Sequence, residues 1–319
     1  MPKFKDREEY ERWKTERLKK IQERGKEQKE HEEDTVKASP FLKAETIKTD
    51  GKLTGIGELF SNSWQIYKNR IGTLIALYLF SAISCVVSLG IFIGTGFLLS
   101  HFLSESKIPL ILSIVIGITI GFIALFWGMA AFTFAVADES IGIKDALEKG
   151  WQRVSAFIWL FTIMGFIITG GFLLFLVPGV IFLVWFTFAQ FILAVDDERG
   201  MNALLKSKEY VKGYWFDVFL RLLVIWLVSM FIGMVPFLGG ILSLFFVPFM
   251  MIFIYLIYKN LKVAKGDIVY SSSSGEKFKW IGAGTLGYVV LPLILIAFLG
   301  ATFTIPLLFL KGILKSSGH

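Results

Sequence analysis

The sequence predicts an all-α fold: a polytopic transmembrane helical bundle of six to seven spans, with short amphipathic interfacial helices and a charged cytoplasmic N-terminal arm. Three observations carry that expectation. Long uncharged apolar runs recur from Ile71 to Leu310. The composition is 55% hydrophobic and 16% aromatic with only 18% charged residues, where ordinary soluble domains carry about 25% charged residues, and the mean hydropathy is +0.64. The runs show no alternation of apolar and polar residues, so they fit helices and not membrane β-strands.

Residues 1–50 form the arm. They alternate dense acid and base, as in Lys5-Asp6-Arg7-Glu8-Glu9, with no apolar core of a signal peptide, so the arm is expected to stay on the side where it is made. Tyr10, Trp13, Leu18 and Ile21 fall near one helical face, which leaves two readings open: a partner-docking helix or a solvated polyampholyte. Gly51 to Gly57 reads as the hinge into a six-span membrane domain over residues 51–258.

About 20 apolar residues, rising 1.5 Å each, cross a hydrocarbon core of roughly 30 Å. The first span is expected over residues 71–100 and the second over residues 108–137, both uncharged. Residues 155–195 are again uncharged and about twice the length of one crossing, so they are expected to fold back on themselves at Pro178-Gly179, where proline lacks a donor and glycine accepts positive φ. Residues 215–237 and 241–258 repeat the pattern around Pro236 and Gly239-Gly240. Residues 259–279 then form a loop, and residues 280–319 carry a seventh apolar stretch, with Pro292, Gly300 and Pro306, and a short tail.

Basic residues sort by loop parity. Lys144, Lys149 and Arg153, then Arg199, Lys206, Lys208 and Lys212, then Lys259, Lys262, Lys265, Lys277 and Lys279 all follow even spans, while the opposite loops hold only Lys107. The positive-inside bias places the first set, and with it the arm, in the cytoplasm. A net charge of +7 scattered over such loops suits the anionic head groups of membrane lipids; it does not suggest nucleic acid.

Three amphipathic segments precede spans one, three and five: residues 58–67, 145–154 and 202–211. Each is expected to lie in the interface before the chain turns upright. On the residues Gly57-Glu58-Leu59-Phe60-Ser61-Asn62-Ser63-Trp64, Leu176-Val177-Pro178-Gly179-Val180-Ile181 running on to Ala189, and Ala203-Leu204-Leu205-Lys206-Ser207 with Val211-Lys212-Gly213, the chain resembles the prokaryotic six-helix membrane proteins related to the membrane domain of glycerophosphodiester phosphodiesterases. The resemblance covers residues 57–258 and implies a membrane topology in a prokaryotic cell, not a defined activity. The histidine-arginine-glycine motif that opens the catalytic barrel of some relatives is missing, as are its clustered carboxylates.

Little in the chain suggests chemistry. The histidines, His31, His101 and His319, are scattered, and Cys85 is the only cysteine, so no cofactor or metal site is expected. Gly90, Gly94, Gly96, Gly117 and Gly121 read as helix-packing positions. Ionisable residues inside spans are costly and are therefore the default place to look for function. Asp217 and Arg221, one turn apart in span five, make an expected intrahelical pair that snorkels to the interface or contacts a head group or solute. Gln190 in span four is expected to bond another helix. Asp196-Asp197-Glu198 reads as a solvated turn with a cation as the alternative, and Trp64, Trp151, Trp215 and Trp280 as an aromatic belt. The candidate binding residues are therefore Asp217, Arg221 and Gln190, with no catalytic residue. The expected role is a non-catalytic scaffold or lipid-associated accessory factor of the plasma or inner membrane, with the arm as the place for a protein partner. The alternative is a small-solute or lipid transporter or channel.

Overall fold

The computed structural model describes residues 53–103, 107–270 and 272–316. The arm expected over residues 1–50, with His31, and the terminal His319 lie outside them. The described chain runs α1 (Ile56–Leu103), α2 (Ile108–Ala137), α3 (Ile143–Leu174), α4 (Leu176–Phe186), α5 (Ala189–Asp196), α6 (Met201–Val211), α7 (Trp215–Gly233), α8 (Gly239–Lys265) and α9 (Ser274–Ser316), with no strand among these residues. Six stretches of it are long and apolar enough to cross a membrane: α1, α2, α3, α4 with α5, α7, and α8. The chain is a multi-pass helical membrane protein. Its charged loops gather at one end of the bundle, where side chains tie α2 and the loop after it to α1 and α5 to α6 and α8.

Two of the three amphipathic segments are not separate helices. Residues 58–67 continue into span one within α1, and residues 145–154 into span three within α3, because no proline or glycine falls between Trp64 and Ile71 or between Trp151 and Phe161 to break the ladder. The third segment is a helix of its own, α6, bounded by Gly200 (φ 54) and Gly213 (φ 87), whose left-handed backbone glycine adopts without a Cβ clash. Its apolar face does not lie in the acyl boundary. Ala203, Leu204, Leu205, Tyr210 and Val211 are all buried in protein.

The reversal between spans three and four sits at Phe175, not at Pro178-Gly179. Phe175 is extended (φ −172, ψ 160), and α4 starts at once with Pro178 in its first turn, where the missing amide would have no intrahelical partner anyway. Gly179 serves close approach instead of positive φ, since a Cβ there would meet the Phe172 ring. Span four is also interrupted, by the turn residues Thr187 and Phe188 between α4 and α5. The Ser207 hydroxyl of α6, fully buried, donates to the Trp185 carbonyl at 2.6 Å and accepts from the Phe188 amide at 3.3 Å. It thereby satisfies backbone groups that a break in a span would leave without water. Span five ends at Gly233, four residues before expectation, and the following turn carries Phe237 at φ 62, fully exposed at its tip.

Among the packing glycines, Gly96 and Gly117 do lie in tight contact across α1 and α2, with a Cβ at either falling 2.6 Å from Ser113 or Phe92 Cβ, and Gly121 sits at ordinary contact with Cys85. Gly90 and Gly94 touch nothing, because they occupy the face of α1 turned away from α2. The closest crossing is one the sequence reading missed: a Cβ on Gly287 of α9 would fall onto the Gly170 carbonyl of α3, and one on Gly170 onto the Gly284 backbone. The stretch expected as a seventh span is thus one helix docked on α3, with Tyr288 stacked on Phe166 at 5.0 Å. Trp64 and Trp151 are about half exposed, as a belt requires, whereas Trp280 packs against Phe182, Trp185 and Phe186 with the Lys208 ammonium 5.1 Å over its ring.

Candidate functional site

The pair Asp217 and Arg221 is formed, Nη1 to Oδ1 at 3.3 Å, but the arginine does not snorkel. Arg221 is 8% exposed. Its Nε and Nη2 donate to the Thr54 carbonyl at 3.3 and 2.9 Å, and Nη2 also reaches the Leu53 carbonyl at 3.3 Å. Thr54 in turn donates its hydroxyl to Asn260 Oδ1 of α8 at 2.9 Å. The chain entering α1 passes across α7 and offers free carbonyls, which draw the guanidinium inward. Arg221 therefore fixes the start of the membrane domain to α7 and α8.

Gln190 is not part of that arrangement. It faces a separate cavity of ≈ 200 Å³ among α1, α2, α5 and α8, lined also by Tyr78, Ser81, Thr133 and Met251. The Ser81 and Thr133 hydroxyls bond backbone carbonyls. Among the described residues Gln190 reaches another helix only through the Met251 sulfur, 3.8 Å from Nε2, a weak acceptor.

The densest electrostatic feature is one the sequence reading placed in solvent. Asp196, at the end of α5, is nearly buried and accepts from Lys206 at 2.7 Å, Lys262 at 2.8 Å and the Tyr258 hydroxyl at 3.3 Å. Lys262 continues to Asp267 at 2.9 Å. Asp197, in a left-handed conformation (φ 55), turns outward and pairs with Arg153 at 2.5 Å and Arg199 at 3.5 Å. The place offered to a cation is filled by the protein's own lysines. Among the described residues no group of three His, Cys, Asp or Glu side chains is arranged to hold a metal ion. A signal for Lys206 was present: it shares a face of α6 with Ala203, Ser207 and Tyr210, so a lysine there needs a buried carboxylate.

Nearby, Arg70 bridges α1 to the end of α2, donating to the Ala135 carbonyl and to those of Asp138 at 3.1 Å and Ile141 at 2.7 Å; cations suit helix C-termini. A groove of ≈ 500 Å³ opens beside it, lined by Asp138, Lys149, Gln152 and Arg153. Burial acts to raise the Asp138 carboxyl, but two hydrogen bonds from Ser140 and the Lys149 ammonium at 3.7 Å outweigh it and hold the group below its ordinary value. Tyr210 is pushed above its usual range by burial.

No family model, curated protein or solved structure matches the chain. The resemblance to six-helix membrane proteins is therefore carried by the quoted residues alone.

Proposed function

We propose that the protein is a non-catalytic scaffold of a prokaryotic plasma or inner membrane, with the charged end of its bundle and its arm in the cytoplasm, and with α9 as a seventh crossing. The observation that carries this reading is the Arg221 clamp. A nearly buried arginine holds the carbonyls of Leu53 and Thr54, so the chain is anchored to α7 at the point where the membrane domain begins. The polar residues first suspected of contacting solute are engaged by the protein itself at Asp217 and Arg221, and the Asp196 cluster is closed by internal lysines. The test is native mass spectrometry of the protein extracted with its neighbours, with and without residues 1–50. A stoichiometric partner lost on removing the arm supports the scaffold; a partner retained by the shortened chain refutes it.

The transporter reading keeps one observation in its favour. Interrupted spans line solute sites in transporters, and here the interruption in span four lies two residues from Gln190 and its cavity. The groups freed by the break are bonded by Ser207, which makes the interruption part of the packing of α6. Solute flux abolished by Gln190→Ala in a folded protein would reverse the ranking.

A further inference from the structure

An apolar cleft of ≈ 520 Å³ runs between α1, α7 and α8. On α1 it is walled by Phe60, Trp64, Tyr67 and Ile71, and on α8 by a face that includes Leu242 and Phe249. These α1 residues recur at the three- and four-residue spacing of one helical face, and from Phe60 to Ile71 they cover about 16 Å of helix at 1.5 Å per residue. The one hydroxyl in the wall is turned out of the way, since Tyr67 donates to the Phe245 carbonyl at 2.8 Å, in the turn that Pro248 loosens within α8. The volume lies in the range of ligand sites, roughly 300–1,000 Å³, while the wall offers almost nothing to a polar ligand.

The rim is different. The Lys68 ammonium lies 6.0 Å from the centre of the Trp64 ring, and no described carboxylate pairs with it, in contrast to the lysines of the Asp196 cluster. An apolar slot with an unpaired cation beside the amphipathic tryptophan of its wall matches a molecule with a negative head and a hydrocarbon tail. We propose that the cleft seats one acyl chain of an anionic phospholipid whose phosphate is held by Lys68. A second copy of this chain fits less well, because an opposing helix could enter only by pushing apart Trp64, Tyr67 and Phe249, whose rings already contact one another at 5.7–6.4 Å. This assignment rests on the membrane location and not on the role of the arm.

The full-length protein, stripped of lipid in detergent, is offered vesicles of phosphatidylglycerol or of phosphatidylcholine and examined by native mass spectrometry. One phosphatidylglycerol per chain is expected, retained about fivefold over phosphatidylcholine, the scale of one basic residue at a membrane surface. Lys68→Gln should bring the two lipids within about twofold of each other while both still bind. Ile71→Trp, at a position 40% exposed, should lower the occupancy of both. Equal retention by the wild type, an unchanged preference in Lys68→Gln, or a dimer whose mass includes no lipid would overturn the proposal. A chain lacking residues 1–50 should keep the lipid preference, so a failure of the scaffold reading is told apart from a failure of this one.

Discussion

Replacing Asp196 by alanine removes the shared acceptor of two lysines, and the structure says which of them suffers. Lys262 is 28% exposed and keeps Asp267, itself 78% exposed, at 2.9 Å. An exposed pair of that kind is worth about 0–1 kcal/mol, so Lys262 can turn to solvent at little cost. Lys206 is 9% exposed and has Asp196 as its ion-pair partner. Stranding one buried charge costs about 3–5 kcal/mol, and that is the expected loss for Asp196→Ala. Lys206→Met strands nothing, because Asp196 retains Lys262 and the Tyr258 hydroxyl, and should cost about 1–3 kcal/mol. In Asp196→Ala/Lys206→Met the offending ammonium is gone, so the double variant should be more stable than Asp196→Ala alone. Reversible unfolding in mixed micelles of mild detergent and dodecyl sulfate measures all three. A loss below about 1 kcal/mol for Asp196→Ala, or a double variant that loses the sum of the single effects, would refute the argument.

Three further outcomes follow from other parts of the bundle. Ser207→Ala leaves the Phe188 amide and a Trp185 lone pair unsatisfied and should cost about 1–3 kcal/mol, read in the same unfolding assay, while Ser207→Thr should restore much of it. Gly287→Leu should force α9 off α3; a disulfide engineered between positions 166 and 288, whose rings now stack, should form in the parent background and fail in the variant. Because the folded Asp138 carboxyl is held below its unfolded value of about 3.9, its contribution is complete above that pH and declines as the pH falls through the lower folded value. The stability difference between wild type and Asp138→Asn should therefore shrink below about pH 4, and only modestly, since the side chain is 45% exposed.

Legibility in the sequence followed the range of the forces involved. The spans could be read because a bilayer imposes a length and a hydropathy that any single segment must meet alone, and the six apolar helices fall where the uncharged runs predicted them. Breaks were harder. Pro178 looked like a turn from its local chemistry, yet a proline in the first turn of a helix is unstrained, and the reversal moved to Phe175. The interruption at Thr187 and Phe188 carries no proline or glycine and depends on a serine about twenty residues away in sequence. Arg221 was marked through its neighbour Asp217, but its principal partners are backbone carbonyls, which every sequence supplies and none advertises. Lys206 shows the limit most plainly: parity assigned it to a cytoplasmic loop at the lipid head groups, while the face it occupies on α6 placed it inside the protein.

The Ser207 bridge also bears on the order of assembly. Span four is synthesised before α6, so when residues 176–196 first enter the bilayer, the serine that will bond Trp185 and Phe188 has yet to emerge from the ribosome. Until then the gap must be closed by water or by a transient continuous helix, and the short reach to α6 sets the moment at which the fourth crossing acquires its final shape. Lengthening the link between Asp196 and Met201 would delay that moment.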